Sequence, residues 1–238
     1  NRKNTEIHRF RNRAITDSIE PGSIVKPLPV LAALENGTAD MNTVIQTGYG
    51  PIMVGGRRVK DTHGYGDLDL TGIMRKSSNI GVTKLALNMP HEDLLKLYYD
   101  MGLGAETGLG LQGESAGMLR ERARWSDHER ATLSFGYGLS VTAVQMAKMY
   151  SAIANGGVVR PLSIIKAETP PEGMRVVSEQ NADAMVEMLE QVTEKGGTAT
   201  KARVAGYRVG GKTGTAKKAI AGGYGDDYIG SFAGIGPI

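Results

Sequence analysis

Apolar side chains recur at helical spacing in several segments of this chain. One such segment follows Pro90, a second follows Thr142 and a third follows Ser178. The serine and the threonine can accept hydrogen bonds from the free N–H groups of a first helical turn. The pattern therefore predicts three helices, and it predicts another helical stretch over 70–87 with an interruption near Ser77.

The C-terminal part of the chain has a different pattern. Residues 212–216 and 228–232 have the composition of strands, and the glycine-rich stretch 221–225 separates them. This arrangement predicts an antiparallel hairpin. Residues 38–68 are rich in glycine, threonine and valine, which predicts loops with short strands. Helices in the middle and antiparallel strands at the end indicate an α+β fold rather than repeated β-α-β units.

Two segments carry the pattern Ser-x-x-Lys, and their contexts differ. Ser23 opens an apolar stretch that Asn36-Gly37 ends, which predicts a helix on which Ser23 and Lys26 share one face. Ser163 follows a proline and lies among Leu162, Ile164 and Ile165, which predicts a buried strand. Residues i and i+3 of a strand point to opposite faces, so only the first pair can act together.

Composition narrows the classes of protein to consider. The chain has 238 residues, with 40% hydrophobic and 22% charged, which is typical of a globular domain. The absence of cysteine excludes disulfide scaffolds, zinc–thiolate sites and cysteine nucleophiles. A net charge of +3 and an aromatic share of 5% argue against nucleic-acid binding. We expect no membrane span, signal peptide, metal or cofactor in this segment.

Two further short patterns lack the context that their chemistry needs. The run Gly108–Gly113 matches a dinucleotide-binding glycine pattern, but a loop precedes it and Gly117 interrupts the segment after it, where a helix would have to begin. The run Gly113–Gly117 matches a nucleophile elbow around Ser115, but a single histidine, His128, follows it. A hydrolase of that kind needs far more chain between its catalytic residues.

Three motifs occur in a meaningful order. Ser23-x-x-Lys26 is followed 54 residues later by Ser77-x-Asn79, and 135 residues after Ser77 by Lys212-Thr213-Gly214. The ordered set is far less probable by chance than any one motif. The motifs fall at a helix start, in a break between helical segments, and on a strand.

These motifs resemble those of the penicillin-binding serine transpeptidases, a family that shares its fold with the serine β-lactamases. The resemblance is greatest to the class B, FtsI-type, division-specific members, and it covers nearly the whole chain. The stretches that carry it are Arg11–Asp17, Glu20–Ser23, Lys76–Asn79, Arg124–Asp127, Phe135–Leu139 and Gly211–Lys218. It implies an antiparallel sheet packed against helices, with an all-helical lobe at roughly 38–165 in a single domain over 1–238. We also expect an incomplete sheet, because members of the family have further strands before residue 1 and after the hairpin.

The resemblance implies a nucleophile, a base and a relay. Ser23 would be the nucleophile, and without a suitably placed histidine its base would be Lys26, whose pKa burial and Lys212 would lower. Ser77 would relay the proton to the leaving amine, and Asn79 would hold Lys26 and the substrate amide.

The remaining roles implied by the resemblance concern substrate binding. The backbone N–H groups of Ser23 and Thr215 would form the oxyanion hole. Lys212, Thr213, Gly214 and Thr215 would receive the substrate carboxylate. Tyr137 and Tyr228 would line the cleft, although packing is an equally good role for them.

The expected reaction is peptidoglycan cross-linking through a serine acyl-enzyme. The implied partners are stem peptides ending in D-Ala-D-Ala, β-lactam antibiotics, an FtsW-type glycan polymerase and other division proteins. The implied location is the bacterial inner membrane, with this domain in the periplasm and an anchor elsewhere. A D,D-carboxypeptidase, a serine β-lactamase and a non-catalytic β-lactam sensor remain alternatives.

Overall fold

A computed structural model describes residues 10–122, 124–220 and 223–238. Runs of strands and runs of helices follow one another along the chain, and the described residues form no repeated β-α-β units. The α-helices are α1 (Arg13–Thr16), α2 (Pro27–Glu35), α3 (Leu70–Lys76), α4 (Asn79–Leu87), α5 (His91–Asp100), α6 (Asp127–Ser134), α7 (Ala143–Ala154) and α8 (Glu179–Thr193). Short 3₁₀ helices cover Gly22–Val25 and Thr200–Ala202.

The strands form antiparallel pairs: β1 with β6, β2 with β5, β3 with β4, β7 with β8, and β9 with β10. Their bounds are β1 (Ser18–Ile19), β2 (Val44–Gly48), β3 (Ile52–Val54), β4 (Arg57–Val59), β5 (Gly66–Asp69), β6 (Val141–Thr142), β7 (Val158–Val159), β8 (Met174–Arg175), β9 (Gly210–Ile220) and β10 (Gly223–Ile235). The predicted C-terminal hairpin is therefore confirmed as β9–β10. Two of its turn residues, 221 and 222, lie outside the described part of the chain.

The predicted helix starts are confirmed by their caps. The Thr142 side chain accepts a hydrogen bond from Gln145 N, and the Gln145 side chain accepts one from Thr142 N. The Ser178 side chain accepts from Asn181 N at the start of α8. Each cap satisfies N–H groups that the first turn leaves free, so the helices begin where the sequence predicts.

The predicted interruption near Ser77 is also confirmed, and it has a defined geometry. Ser77 ends α3 in the left-handed region, with φ 57° and ψ 43°. It is the sole residue other than glycine with positive φ among those described. Ser78 then caps α4 by accepting from Gly81 N. A left-handed serine is costly, so this break is maintained by the structure around it.

The main hydrophobic core lies between helices α2, α3, α4, α5, α7 and α8. Helix α8 packs against β9, and α7 packs against β10. The hairpin thus rests on the helical layer, which confirms the α+β class. No helix within the described ranges is both long enough and apolar enough to cross a membrane.

Two expectations differ from the structure. Residues 162–165 form no strand, and Ile164 and Ile165 are 68% and 76% exposed. This prediction was wrong because apolar character alone supplied no pairing partner, although the exposed Ser163 does lie outside any helix as expected. The described part of the region 38–165 is not all-helical, since the β2–β5 pair and the β3–β4 hairpin lie within it. These strands agree with the short strands predicted over 38–68.

Candidate active site

Ser23 and Lys26 lie on one 3₁₀ turn that leads into α2. Lys26 N donates to Ser23 O at 3.3 Å, and side chains at i and i+3 of such a turn are nearly eclipsed. The two side chains therefore share a face, as predicted. Pro21, rather than Ser23, is the N-cap of this 3₁₀ helix, and no side-chain hydrogen bond caps it among the described residues.

The turn that carries Ser23 is held by close backbone contact. Gly22 N donates to Gly136 O at 3.0 Å, and a Cβ added to Gly136 would lie 2.0 Å from Gly22 O. Gly136 also has a φ of +90°, which favours glycine. From the other side, the buried Tyr150 hydroxyl donates to Ile24 O at 2.8 Å. The nucleophile turn is thus fixed from two directions.

Lys26 reaches the second motif. Its Nζ lies 2.5 Å from Ser77 O, 3.1 Å from Ser77 Oγ and 2.7 Å from Asn79 Oδ1. The left-handed conformation of Ser77 lets its carbonyl and its hydroxyl face the same amine. The strained break between α3 and α4 therefore places two oxygens of Ser77 beside the Lys26 amine.

Lys212 reaches the same hydroxyl from strand β9. Its Nζ lies 2.8 Å from Ser77 Oγ and 3.1 Å from Thr213 O. Ser77 Oγ consequently bridges the two lysine amines. Residues separated by 51 and 135 positions thus meet at one oxygen.

Both lysines are fully buried, with 0% of each residue exposed. Burial lowers the pKa of Lys212 to about 7. Burial and then the nearby Lys212 hold the pKa of Lys26 well below its usual range, while Asp61 opposes this shift. Charging both amines around one hydroxyl would cost both desolvation and repulsion, so a neutral amine is favoured near neutral pH.

One predicted contact is not formed. No hydrogen bond joins Ser23 Oγ to Lys26 Nζ in the described part of the chain, where the three hydrogen bonds of that amine go to Ser77 and Asn79. Sequence spacing could establish a shared face but not which neighbour the amine would choose. Hydrogen bonds of this kind are often loose before a substrate binds.

The segment after β4 fixes the second motif, and sequence reasoning missed it. Asp61 Oδ1 accepts from Asn79 N at 2.5 Å and from Ile80 N at 3.0 Å, and Oδ2 accepts from Ser78 Oγ at 2.6 Å. Lys60 O accepts from Asn79 Nδ2 at 3.0 Å. A lone aspartate in a loop carries no motif, so only the fold could reveal this contact.

Strand β9 packs close to the turn that carries Ser23, and the contact is at Gly214 of the third motif. A Cβ added to Gly214 would lie 2.5 Å from Ser231 Oγ and 2.9 Å from the Ile24 side chain. Gly214 is buried, and the absence of a side chain there lets β9 lie close to the turn that carries Ser23. The next residue, Thr215, is exposed. Thr213 Oγ1 lies 2.9 Å from Thr198 Oγ1, a contact that sequence reasoning did not anticipate.

The two predicted aromatic residues stand near the hairpin in different environments. Tyr137 is half-buried, packs edge-on against Phe135 and Tyr224, and accepts from Lys217 N at 3.4 Å. Tyr228 is 60% exposed, with Lys217 Nζ 5.8 Å from its ring centre. These contacts give Tyr137 a packing role, and Tyr228 a position open to solvent.

A carboxylate that sequence reasoning missed joins the same region. Glu20 Oε1 accepts from Gly138 N at 2.8 Å and from the Tyr224 hydroxyl at 3.1 Å. Burial and then Glu20 raise the pKa of Tyr224 to about 12. Glu20 directly precedes the Pro21-Gly22-Ser23 turn, so it links that turn to the hairpin.

The two other glycine patterns form no site. Gly108–Gly113 lies in turns and loop, without a preceding strand or a following helix. Ser115 Oγ accepts from Gly117 N at 3.1 Å, a local turn contact. Within residues 10–122, 124–220 and 223–238, no cluster of histidine, cysteine or acidic side chains could hold a metal ion.

Comparison with known proteins agrees with this geometry. The family described as "Penicillin binding protein transpeptidase domain" matches residues 1–238. The chain is 47% identical over 238 residues to "Peptidoglycan D,D-transpeptidase FtsI" of Escherichia coli K12, covering all of this chain and 40% of that protein. It is 43% identical over 228 residues to "Probable peptidoglycan D,D-transpeptidase PenA" of Neisseria gonorrhoeae, covering 95% of this chain and 39% of that protein.

A solved structure is also similar. The apo transpeptidase domain of Burkholderia pseudomallei penicillin-binding protein 3 superposes with a TM-score of 0.93 at 44% identity, covering 96% of this chain and 70% of that one. The chain spans about two fifths of the length of the curated relatives it matches. Sequence and fold therefore agree, and this chain belongs to the penicillin-binding protein transpeptidase domain family.

Proposed function

We propose that this domain is a peptidoglycan D,D-transpeptidase that works through an acyl-enzyme on Ser23. One observation carries the proposal: Lys26, Ser77, Asn79 and Lys212 form a continuous chain of hydrogen bonds beside the Ser23 turn. The names of the similar proteins, which include peptidoglycan D,D-transpeptidases, support the same reaction.

Acylation begins with a proton transfer from Ser23 to Lys26. Ser23 Oγ attacks the carbonyl carbon of the penultimate D-Ala, and the neutral Lys26 amine takes the hydroxyl proton. A lysine can do this near neutral pH because burial disfavours its charged form. The carbonyl oxygen gains negative charge, which the backbone N–H groups of Ser23 and Thr215 stabilise.

Collapse of the tetrahedral intermediate requires the proton to reach the leaving group. The C–N bond breaks as Ser77 gives its proton to the nitrogen of the terminal D-Ala, and Lys26 returns its proton to Ser77. The position of Ser77 Oγ between two amines supports this relay, since it can donate to one and accept from the other. In the second half-reaction an acceptor amine attacks the ester, and Ser23 regains its proton.

The third motif provides the groups that suit the substrate carboxylate. We propose that Lys212, Thr213, Gly214 and Thr215 form this subsite. The Lys212 amine supplies positive charge in its protonated form, and the two threonines supply hydroxyl donors. Asn79 would hold Lys26 and the substrate amide together. For Tyr228, its exposure supports a place in the cleft wall.

We further propose the setting in which the domain acts. The substrate is a stem peptide ending in D-Ala-D-Ala, and β-lactams acylate the same serine. Such peptides lie outside the inner membrane, which favours a periplasmic domain of a membrane-anchored protein. An FtsW-type glycan polymerase and other division proteins are the corresponding partners.

Covalent labelling tests the proposal. Intact-protein mass spectrometry after incubation with benzylpenicillin should reveal one adduct with the mass of the whole antibiotic. The adduct should disappear in Ser23→Ala and remain in Ser163→Ala, which alters the serine of the other Ser-x-x-Lys pattern. An unlabelled folded protein, or an adduct that survives Ser23→Ala, would contradict the proposal.

The rate at which the adduct is lost separates the alternatives. A transpeptidase should release the antibiotic slowly, because it does not activate a water molecule against this ester. Rapid loss would indicate a β-lactamase. Release of D-Ala from a dipeptide-terminated substrate without transfer to an added amine would indicate a carboxypeptidase, and acylation without any peptide turnover would indicate a sensor.

A further inference from the structure

Asp61 makes three hydrogen bonds to the loop that carries Ser77 and Asn79. Its Oδ1 accepts from the N–H groups of Asn79 and Ile80, and its Oδ2 accepts from Ser78 Oγ. These are the first N–H groups of α4, which have no partner inside the helix. A carboxylate at this end of a helix is stabilised by the N–H groups and by the helix dipole. Asp61 therefore fixes where α4 begins.

The neighbouring carbonyl orients the Asn79 amide. Lys60 O accepts from Asn79 Nδ2 at 3.0 Å, so the amide oxygen must turn the other way. That oxygen lies 2.7 Å from Lys26 Nζ. Because Asp61 holds the Asn79 backbone and Lys60 holds its side chain, one dipeptide determines which atom of Asn79 faces the lysine.

Asp61 also affects the charge of the amine that Asn79 contacts. The charged groups that act on the buried Lys26 are Lys212, from β9, and Asp61, from the segment after β4. Lys212 lowers the pKa of Lys26 and Asp61 raises it. The acid thus counteracts part of the repulsion that the second lysine imposes.

We propose that Asp61 is a positioning residue of the acylation reaction, which orients the Ser77–Asn79 loop and places a negative charge near this loop. The inference rests on the proposed function. Asp61 does not contact the reacting atoms, and it acts through Asn79, Ser78 and the field at Lys26.

Two substitutions separate the hydrogen bonds from the charge. Asp61→Asn removes the charge and retains an oxygen for the N–H groups of Asn79 and Ile80. Asp61→Ala removes both the charge and the acceptors. Asp67→Asn is the matched control, because Asp67 is an exposed acid on β5 in the same region. The measurement is the second-order rate constant of Ser23 acylation by benzylpenicillin from about pH 5 to about pH 9, on both sides of neutral pH. Folding is checked by circular dichroism.

The expected result has a signature that a purely structural role would not produce. Without the negative charge the ammonium form of Lys26 is less favoured, so the acidic limb of the rate profile should move to lower pH in both Asp61 variants. Asp61→Ala should also lose roughly tenfold to a hundredfold in its plateau rate, since the loop is no longer held. Asp61→Asn should lose less of its plateau rate than Asp61→Ala. Asp67→Asn should match the wild type in both the plateau rate and the position of the acidic limb.

Three outcomes would overturn the inference. The first is an acidic limb at the wild-type position in a folded Asp61→Asn. The second is wild-type behaviour of Asp61→Ala. The third is failure of both variants to fold, which would make Asp61 a residue of stability alone. A wild-type protein that is not acylated would refute the proposed function instead, so the two failures are distinguishable.

Discussion

The buried amine of Lys212 makes the stability of this domain depend on pH in a measurable direction. Burial lowers its pKa from 10.5 to about 7. Between these values the unfolded chain binds a proton at this position that the folded chain does not bind, so the free energy of unfolding rises with pH. Below about 7 both states bind the proton, and above the unfolded value neither does.

Substitution of Lys212 by methionine isolates this contribution. Methionine is apolar and of similar length, so it fills the buried site without a titrating group. One fully shifted group changes the free energy of unfolding by about 1.4 kcal/mol per pH unit. From pH 7 to pH 9 the stability advantage of Lys212→Met over the wild type should therefore shrink by about 2–3 kcal/mol.

Urea denaturation at pH 7, 8 and 9 measures this difference by linear extrapolation. The exposed Lys166→Met is the control, and it should follow the wild-type dependence on pH. Parallel stability profiles for Lys212→Met and the wild type would refute the reasoning, because they would mean that Lys212 keeps its proton when folded. The same variant should acylate slowly, since it lacks an amine beside Ser77 Oγ.

Three further predictions test other parts of the site. Ser77→Gly should be more stable than Ser77→Ala by about 1 kcal/mol in urea denaturation, because only glycine adopts the left-handed backbone without strain. Both variants should acylate equally slowly. Equal stabilities of the two variants would contradict the inferred backbone strain at Ser77. Gly136→Ala should lower the free energy of unfolding by about 2 kcal/mol or more and lose most of the acylation rate, because the added Cβ would lie 2.0 Å from Gly22 O. A wild-type melting temperature and labelling rate would count against this close contact. Glu20→Gln should lower the pKa of Tyr224 from about 12, since a negative charge beside the phenol disfavours its ionisation. Ultraviolet titration checks this prediction, with Tyr224→Phe identifying the signal of this phenol. An unchanged titration in Glu20→Gln would show that Glu20 does not act on Tyr224.

Much of the fold follows from short-range patterns. The caps at Thr142 and Ser178, the break at Ser77 and the β9–β10 hairpin are all present as predicted. The caps depend on interactions between residues a few positions apart, which a sequence displays directly. The positions of the break and of the hairpin also follow from the local pattern, although packing maintains the left-handed conformation of Ser77. The apolar run at 162–165 is the exception, because a strand requires a partner that the local sequence does not specify.

The three motifs could be predicted as a set, but their contacts could not. Spacing placed Ser23 and Lys26 on one face, yet the Lys26 amine bonds to Ser77 and Asn79 rather than to Ser23. Asp61 belongs to no motif, and its role depends on a loop that packs against the start of α4. These features arise from long-range packing, which has no signature in nearby residues.

The sequence by itself therefore determined the class of fold, the starts of helices α7 and α8, and the residue types able to perform acyl transfer. The tertiary structure decided which of those groups touch, and how far each is removed from water. The physical reason is that helix caps and turns depend on neighbouring residues, whereas the pKa of a lysine depends on what buries it. For Lys26 and Lys212 the burying groups come from elements far apart along the chain, and only folding brings them together.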